Sequence, residues 1–194
     1  MGIANRKRCL SGFIIVFFIC FFKMHVGQAA TFVDVPETHP SALEIQYLAE
    51  TGIIKGYPDQ TFKPSNNVTN SQVALMISRA LKLKVDNRPD PGFRDLTKVD
   101  KDTYKAIAAV VDEGIFPKGE TFRPNEPITR GEMAQVLVNA FSLKGKSNQE
   151  FKDVSKNHKY YRAIQALAAN DITTGYEDGT FRPSQTLTRA HFST

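Results

Sequence analysis

The sequence predicts a mainly α-helical protein built from three tandem copies of one helix–turn–extended–helix unit. Three observations carry that expectation. An F-x-D opening recurs as "FVDV" (32–35), "FRDL" (93–96) and "FKDV" (151–154), its phenylalanines 61 and 58 residues apart. Apolar residues at helical spacing follow each opening. Each unit then carries a "TF-x-P" segment ("TFKP" 61–64, "TFRP" 121–124, "TFRP" 180–183), and eight residues after its threonine stands a second one, Thr69, Thr129 and Thr188. Self-similarity at a regular period marks a repeat architecture, and the units are expected over residues 30–90, 91–148 and 149–194.

Ahead of the repeats, residues 1–29 are expected to be a secretory signal peptide. Arg6, Lys7 and Arg8 make a basic start, and Leu10 to Phe22 is a nearly all-apolar run of 13 residues closed by Lys23. The small residues of "VGQAA" place cleavage after Ala29. The run is shorter than the about 20 residues of a membrane span, and no small residues precede Cys20 to make it a lipid anchor. Both cysteines, Cys9 and Cys20, lie in this leader. The exported chain therefore has no disulfide, no thiol nucleophile and no thiolate metal site. Removing the four leader residues Arg6, Lys7, Arg8 and Lys23 from the 25 basic residues leaves 21 against 20 acidic ones, a formal charge of +1. That balance excludes nucleic-acid binding through bulk charge.

The first helix of each unit follows from its apolar register. Counting back from Gly52, Gly114 and Asp171 gives Leu48, Val110 and Leu167, then Ile45, Ile107 and Ile164, then Ala42, Tyr104 and Tyr161. Recurrence every three to four residues describes one buried face of a helix. In this register Tyr161 points inward and its neighbour Tyr160 outward. The turn comes next, as "GYPDQTF" (56–62) and "GYEDGTF" (175–181) in the outer copies, whereas the second copy is two residues shorter and has "FPKG" (116–119). Phe62, Phe122 and Phe181 are expected beneath the turn as core plugs, the alternative being sugar-stacking platforms. Tyr57 and Tyr176, each beside a glycine in a turn, are the better candidates for partly exposed contacts.

The second helix starts at the threonines. In "TNSQ" (69–72) and "TRGE" (129–132) a Gln or Glu follows three residues later, the capping-box arrangement. Apolar residues then run Val73, Met76, Ile77, Ala80, Leu81 and Met133, Val136, Leu137, Ala140, Phe141. The third copy reaches only "TRAHFST" (188–194), about two turns short of the first. A unit with two helices has little apolar surface of its own, so the copies are expected to share a core.

The pattern F-x-D-V, helix, G-I-x-x-G-Y-x-D-x-T-F-x-P, T-R-A/G resembles the S-layer homology (SLH) domain family over roughly residues 32–194, as three consecutive copies. The resemblance implies an exported, non-catalytic bacterial module at the cell wall and cell surface. It implies a pseudo-threefold arrangement of the copies, with the capped helices forming a central helical bundle. It further implies that grooves between copies bind secondary cell-wall polysaccharide, commonly one carrying pyruvylated amino sugars. The family's ligand-pairing arginine falls on Arg130 and Arg189, while the first copy has Asn70. Its glycine–aromatic turn falls on Gly56, Tyr57 and Asp59, and on Gly175, Tyr176 and Asp178. On this basis the first repeat's intact turn, running into Thr69-Asn70, frames a site without its arginine. The second copy, lacking the turn, weakens another groove. Asp34, Asp95 and Asp153 are groove residues, helix caps or turn formers.

Arg130 and Arg189 emerge at a helix N-terminus, where the dipole favours an anion and a guanidinium beside it suits a carboxylate; the alternative is that each pairs with a nearby acid and stiffens the repeat. An enzyme finds little support. His39, His158 and His191 are the histidines outside the leader and share no repeat position in this reading, and no phosphate loop, zinc-spaced pair or serine elbow occurs. No metal or organic cofactor is implied, and no membrane contact once the leader is removed. A wall-glycan hydrolase with paired carboxylates is the least supported reading. The stronger alternative is a structural or assembly role through contacts with other surface-layer proteins, since the short third copy leaves apolar surface such as Phe192 for a partner helix.

Overall fold

The computed structural model describes residues 32–194, so the leader expected over 1–29 lies outside the described residues. The protein is mainly helical: α1 (Ala42–Glu50), α2 (Asn70–Ala80), α3 (Lys101–Asp112), α4 (Arg130–Phe141), α5 (Tyr161–Ala169) and α6 (Arg189–Ser193). Among the described residues β-structure is confined to isolated bridges between the extended linkers. Each repeat contributes two helices. Ile45, Ile107, Val110, Ile164 and Leu167 are buried, as the register predicts.

One device builds every turn. The Asp34 carboxylate accepts the backbone N–H groups of Phe62 and Lys63, both at 2.7 Å. Asp95 accepts those of Phe122 and Arg123 at 2.9 and 2.8 Å, and Asp153 those of Phe181 and Arg182 at 2.8 and 2.7 Å. The second residue of each pair has a left-handed backbone, with φ of 58°, 58° and 60° at Lys63, Arg123 and Arg182. A non-glycine residue there is strained, and two charge-assisted bonds to one carboxylate hold it. The phenylalanine of the F-x-D opening packs beside this staple. Ring centroids are 5.4 Å apart for Phe32–Phe62, 5.4 Å for Phe93–Phe122 and 5.5 Å for Phe151–Phe181. Phe62, Phe122 and Phe181 are buried core plugs. The opening aspartates therefore cap no helix; they join the two ends of each unit.

The linkers before α2, α4 and α6 join the repeats in a closed cycle. Val68 N–H donates to Leu187 O at 2.9 Å, Leu187 N–H to Ile128 O at 3.1 Å, and Ile128 N–H to Val68 O at 3.0 Å. The first two amides of each following helix, orphan donors in an isolated helix, reach the turn carbonyls of a neighbouring repeat. Asn70 and Ser71 donate to Glu126 O and Pro124 O, Arg130 and Gly131 to Gln185 O and Pro183 O, and Arg189 and Ala190 to Asn66 O and Pro64 O. The next amide is met by the threonine cap: Thr69 and Thr129 form complete capping boxes with Gln72 and Glu132, and Thr188 accepts from His191 N–H at 3.2 Å.

The helices pair across repeats, α2 with α3, α4 with α5, and α6 with α1. One apolar cluster runs through the first two repeats and takes in Leu187, with Phe192 packed against it. A second gathers Phe151, Val154, Ile164, Leu167 and Phe181 of the third repeat with Ala134 of α4. The copies thus share core across their boundaries. Asp95→Ala should remove both bonds of one staple while leaving the helices intact, lowering unfolding free energy by about 2–3 kcal/mol; urea denaturation followed by circular dichroism measures it.

Candidate functional site

The arginine at the start of a capped helix enters the turn of another repeat. Arg189 of the third repeat donates from Nε to Phe62 O at 2.7 Å and from Nη2 to Lys55 O at 3.0 Å. Its guanidinium lies 4.4 Å from the Phe62 ring centroid and 5.1 Å from that of Tyr57. Arg130 of the second repeat stands in the same relation to the third: Nε donates to Phe181 O at 2.8 Å, with the Phe181 and Tyr176 centroids 4.7 and 4.9 Å away. Asn70 of the first repeat completes the cycle on the second, donating from Nδ2 to Arg123 O at 3.0 Å and to Phe122 O at 3.4 Å.

This placement corrects one expectation. The turn of Gly56, Tyr57 and Asp59 does not lack an arginine; it receives Arg189 from the far end of the chain. Asn70 faces the second repeat, whose turn is also altered. The two departures from the pattern fall in one groove, leaving the Arg189–Tyr57 and Arg130–Tyr176 grooves complete.

The turns also assign their other residues. Asp178 Oδ1 accepts Thr180 N–H and Oγ1 at 2.9 and 2.6 Å, and its Oδ2 meets Arg182 Nη2 at 2.9 Å. The Thr180 hydroxyl, then Arg182, hold this carboxyl well below the usual carboxylate range. Asp59 does the same with Thr61 and with Lys63, whose Nζ is 3.4 Å away. Lys63 and Arg182 in turn cover the outer faces of Tyr57 and Tyr176, at 4.2 and 3.8 Å from the ring centroids. Gly56 and Gly175 serve packing, since a Cβ at either would collide with the ring of Phe32 or Phe151.

Charge pairing separates two classes of arginine. Arg88, Arg94, Arg123 and Arg182 each bridge to a carboxylate. Among the described residues neither Arg130 nor Arg189 forms such a bridge. Arg189 is 5% exposed, and burial lowers its pKa from the ordinary value. Arg130 is half-buried and binds one carbonyl, leaving more of its fork free.

The third groove is differently furnished. A cleft of about 250 Å³ opens beside Asn70, walled by Phe93, Phe116, Phe122 and Tyr160. Phe116, from "FPKG", packs on Phe122 at 5.2 Å. Tyr160 is not turned outward as the register implied: it is half-buried against Gly131, where a Cβ would collide with its ring. The sequence signal was the glycine itself, in "TRGE", where "TRAH" has alanine.

Histidine positions need correction too. His39 and His158 do share a repeat position, five residues after Asp34 and Asp153. Their Nδ1 atoms accept Ser41 N–H and Tyr160 N–H at 3.1 and 3.2 Å, at the starts of α1 and α5. Asp100 takes that place in the second repeat and caps α3 through Asp102 and Thr103 N–H. These residues order helix ends. Among the described residues no cluster of His, Cys, Asp or Glu is placed to hold a metal ion, and no helix is long and apolar enough to cross a membrane.

Short repeats stapled by aspartate, linked in a cycle and meeting at inter-repeat grooves define a tandem-repeat module. The chain belongs to the S-layer homology domain family, whose pattern it matches over residues 31–74, 92–134 and 150–193. It is 31% identical to the S-layer protein EA1 of Bacillus anthracis, over 96% of this chain and 22% of that protein. It is 32% identical to a cellulosome-anchoring protein of Acetivibrio thermocellus over 81% of this chain and 36% of that one, and 30% identical to an endoglucanase of Bacillus sp. (strain KSM-635) over 97% and 22%. The chain spans between about a fifth and about a third of the length of these relatives.

The Arg123–Glu132 pair gives a pH prediction. Burial raises the Glu132 pKa, but the Thr129 N–H, the Arg123 side chain at 2.6 Å and the Thr129 hydroxyl outweigh it, and the net shift is downward. A carboxyl lowered in the folded state adds stability above its unfolded value, about 4.3, and loses it as pH falls through the lower folded value. Melting temperature should be flat from neutral pH to about 5 and fall below about 4. Glu132→Gln, which keeps the cap as Gln72 does, should lessen that fall in pH-resolved thermal melts.

Proposed function

We propose that this chain is a non-catalytic anchoring module that attaches an exported bacterial protein to secondary cell-wall polysaccharide at the cell surface. The ligand is an acidic glycan, a pyruvylated one fitting best. The Arg130–Tyr176 and Arg189–Tyr57 grooves carry the recognition. One observation supports this above the rest: two guanidinium groups are held against backbone carbonyls and aromatic rings with no carboxylate partner among the described residues. A cation in such surroundings is stabilised by an incoming anion, and the free edge of an arginine fork matches a carboxylate. Arg130, with more of its fork free, makes the groove at Tyr176 the stronger of the two. Gly56, Gly175, Asp59 and Asp178 shape the turns, and Asp34 and Asp153 hold them at the backbone.

Family membership and the anchoring and S-layer relatives support a place on the cell surface. The endoglucanase relative, like a cell wall amidase of Bacillus anthracis that is 32% identical over 31% of its length, shares this chain's repeats over a minor part of its own sequence. The turn and opening aspartates are engaged by backbone or basic groups, which suits them to structure more than to acid–base work. A second reading, protein–protein assembly at the surface, draws on exposed apolar residues. Leu43 and Tyr47 of α1 are 79% and 64% exposed, and a cleft of about 640 Å³ beside Phe192 is lined by Leu48, Ile77, Leu137, Phe141 and Ile172.

Cosedimentation with purified cell walls tests the main reading. The Arg130→Ala/Arg189→Ala variant should bind at least about tenfold more weakly, and removal of the pyruvyl groups should weaken the parent to a similar extent. Unchanged binding of the double variant would refute the arginine mechanism. Concentration-dependent self-association in sedimentation velocity would instead favour assembly.

A further inference from the structure

In the complete grooves a guanidinium fills the space between the backbone carbonyl of the buried phenylalanine and the turn tyrosine. At the second repeat that filling is gone, and three changes accompany its loss. Asn70 is shorter than arginine, so the Phe122 carbonyl is met only at 3.4 Å and the space beside it becomes the cleft of about 250 Å³. Phe116 takes the wall that a tyrosine turn would make, packed on Phe122. Tyr160 closes the other side, admitted by Gly131.

The electrostatics change in the same direction. Arg123, at the position of Lys63 and Arg182, turns to Glu132 at 2.6 Å and Glu126 at 3.3 Å. Its charge is matched, and an anion gains little from it. Lys159 lies at the mouth with its ammonium 4.9 Å from the Tyr160 centroid. What remains is a ring-walled slot with two side-chain amides; Asn70 Nδ2 already donates to Arg123 O and Phe122 O, and Gln135 Nε2 to Asn139 Oδ1 at 2.8 Å, so each offers its oxygen as an acceptor. Aromatic walls suit the apolar face of a sugar or a methyl group, and amides suit a neutral hydrogen-bonding group. A small cleft with apolar lining and a few placed polar groups is a ligand site in form.

We infer that the groove of Asn70, Phe116, Phe122 and Tyr160 binds an uncharged acetamido sugar, its methyl and ring face on the aromatic wall and its amide at Asn70 and Gln135. The site differs in ligand class from the two arginine grooves and does not depend on them. A chain with both kinds of groove distinguishes charged from neutral residues along a glycan.

Titration of the 15N-labelled protein with N,N′-diacetylchitobiose, followed by NMR, tests this. Saturable shifts should appear at the Asn70 and Gln135 side-chain amides and the Phe116 and Tyr160 backbone amides. They should persist in the Arg130→Ala/Arg189→Ala variant and at raised salt, since no net charge is involved. Asn70→Arg, which refills the slot as its counterparts do, should abolish them while the remaining spectrum reports a folded chain. Cellobiose, lacking the acetamido group, should bind about tenfold more weakly. Absence of shifts at these residues in the parent, their survival in Asn70→Arg, or equal binding of cellobiose would overturn the assignment. Loss of acidic-glycan binding in the double arginine variant leaves it standing, so the two assignments fail separately.

Discussion

The backbone cycle of Val68, Leu187 and Ile128 is the constraint on which the rest of the structure depends. Each linker is too short to be a strand, and its hydrogen-bond partners lie in other repeats. Through the cycle, the first two amides of α2, α4 and α6 meet turn carbonyls that would otherwise face only water. The residue at the helix start is thereby committed to the groove of another repeat. Position 70, 130 or 189 cannot serve its own unit.

The turns answer to the cycle from the other side. Each offers carbonyls to a foreign helix only because its backbone holds a left-handed residue at Lys63, Arg123 or Arg182, and each of those is held by an aspartate some 28 or 29 residues earlier. The F-x-D opening is thus a long-range brace, and its phenylalanine seals the same corner. With no cysteine beyond position 20, these braces and the shared apolar clusters take the place that disulfides hold in many small exported domains.

On this frame the grooves differ as units. An arginine and a tyrosine turn occur together at Arg189–Tyr57 and at Arg130–Tyr176, and both are absent together at the second repeat. The partners in each pair come from different repeats, so their joint presence or loss is a property of the assembled groove. Burial sharpens the contrast. Among the described residues Arg130 and Arg189 meet backbone carbonyls and rings in place of a carboxylate, whereas Arg123, beside an aromatic slot, is neutralised by Glu132.

Much of the fold was legible because its causes are local. The apolar register of α1, α3 and α5, the Thr–x–x–Gln/Glu boxes of α2 and α4 and the three-copy period each lie within a few residues of chain, and family membership follows from the same motifs. The histidine position at His39 and His158 was equally local and visible by counting from F-x-D, but Asp100 in the middle copy disguised it. The composition of each groove was not legible. The bond from Arg189 to Phe62 O spans 127 residues, and that from Asn70 to Arg123 O spans 53. The sequence alone determined what each repeat is. Only the tertiary structure decided which repeat supplies the charge to which turn, because that choice rests on backbone hydrogen bonds between linkers far apart in the chain, and no local pattern encodes them.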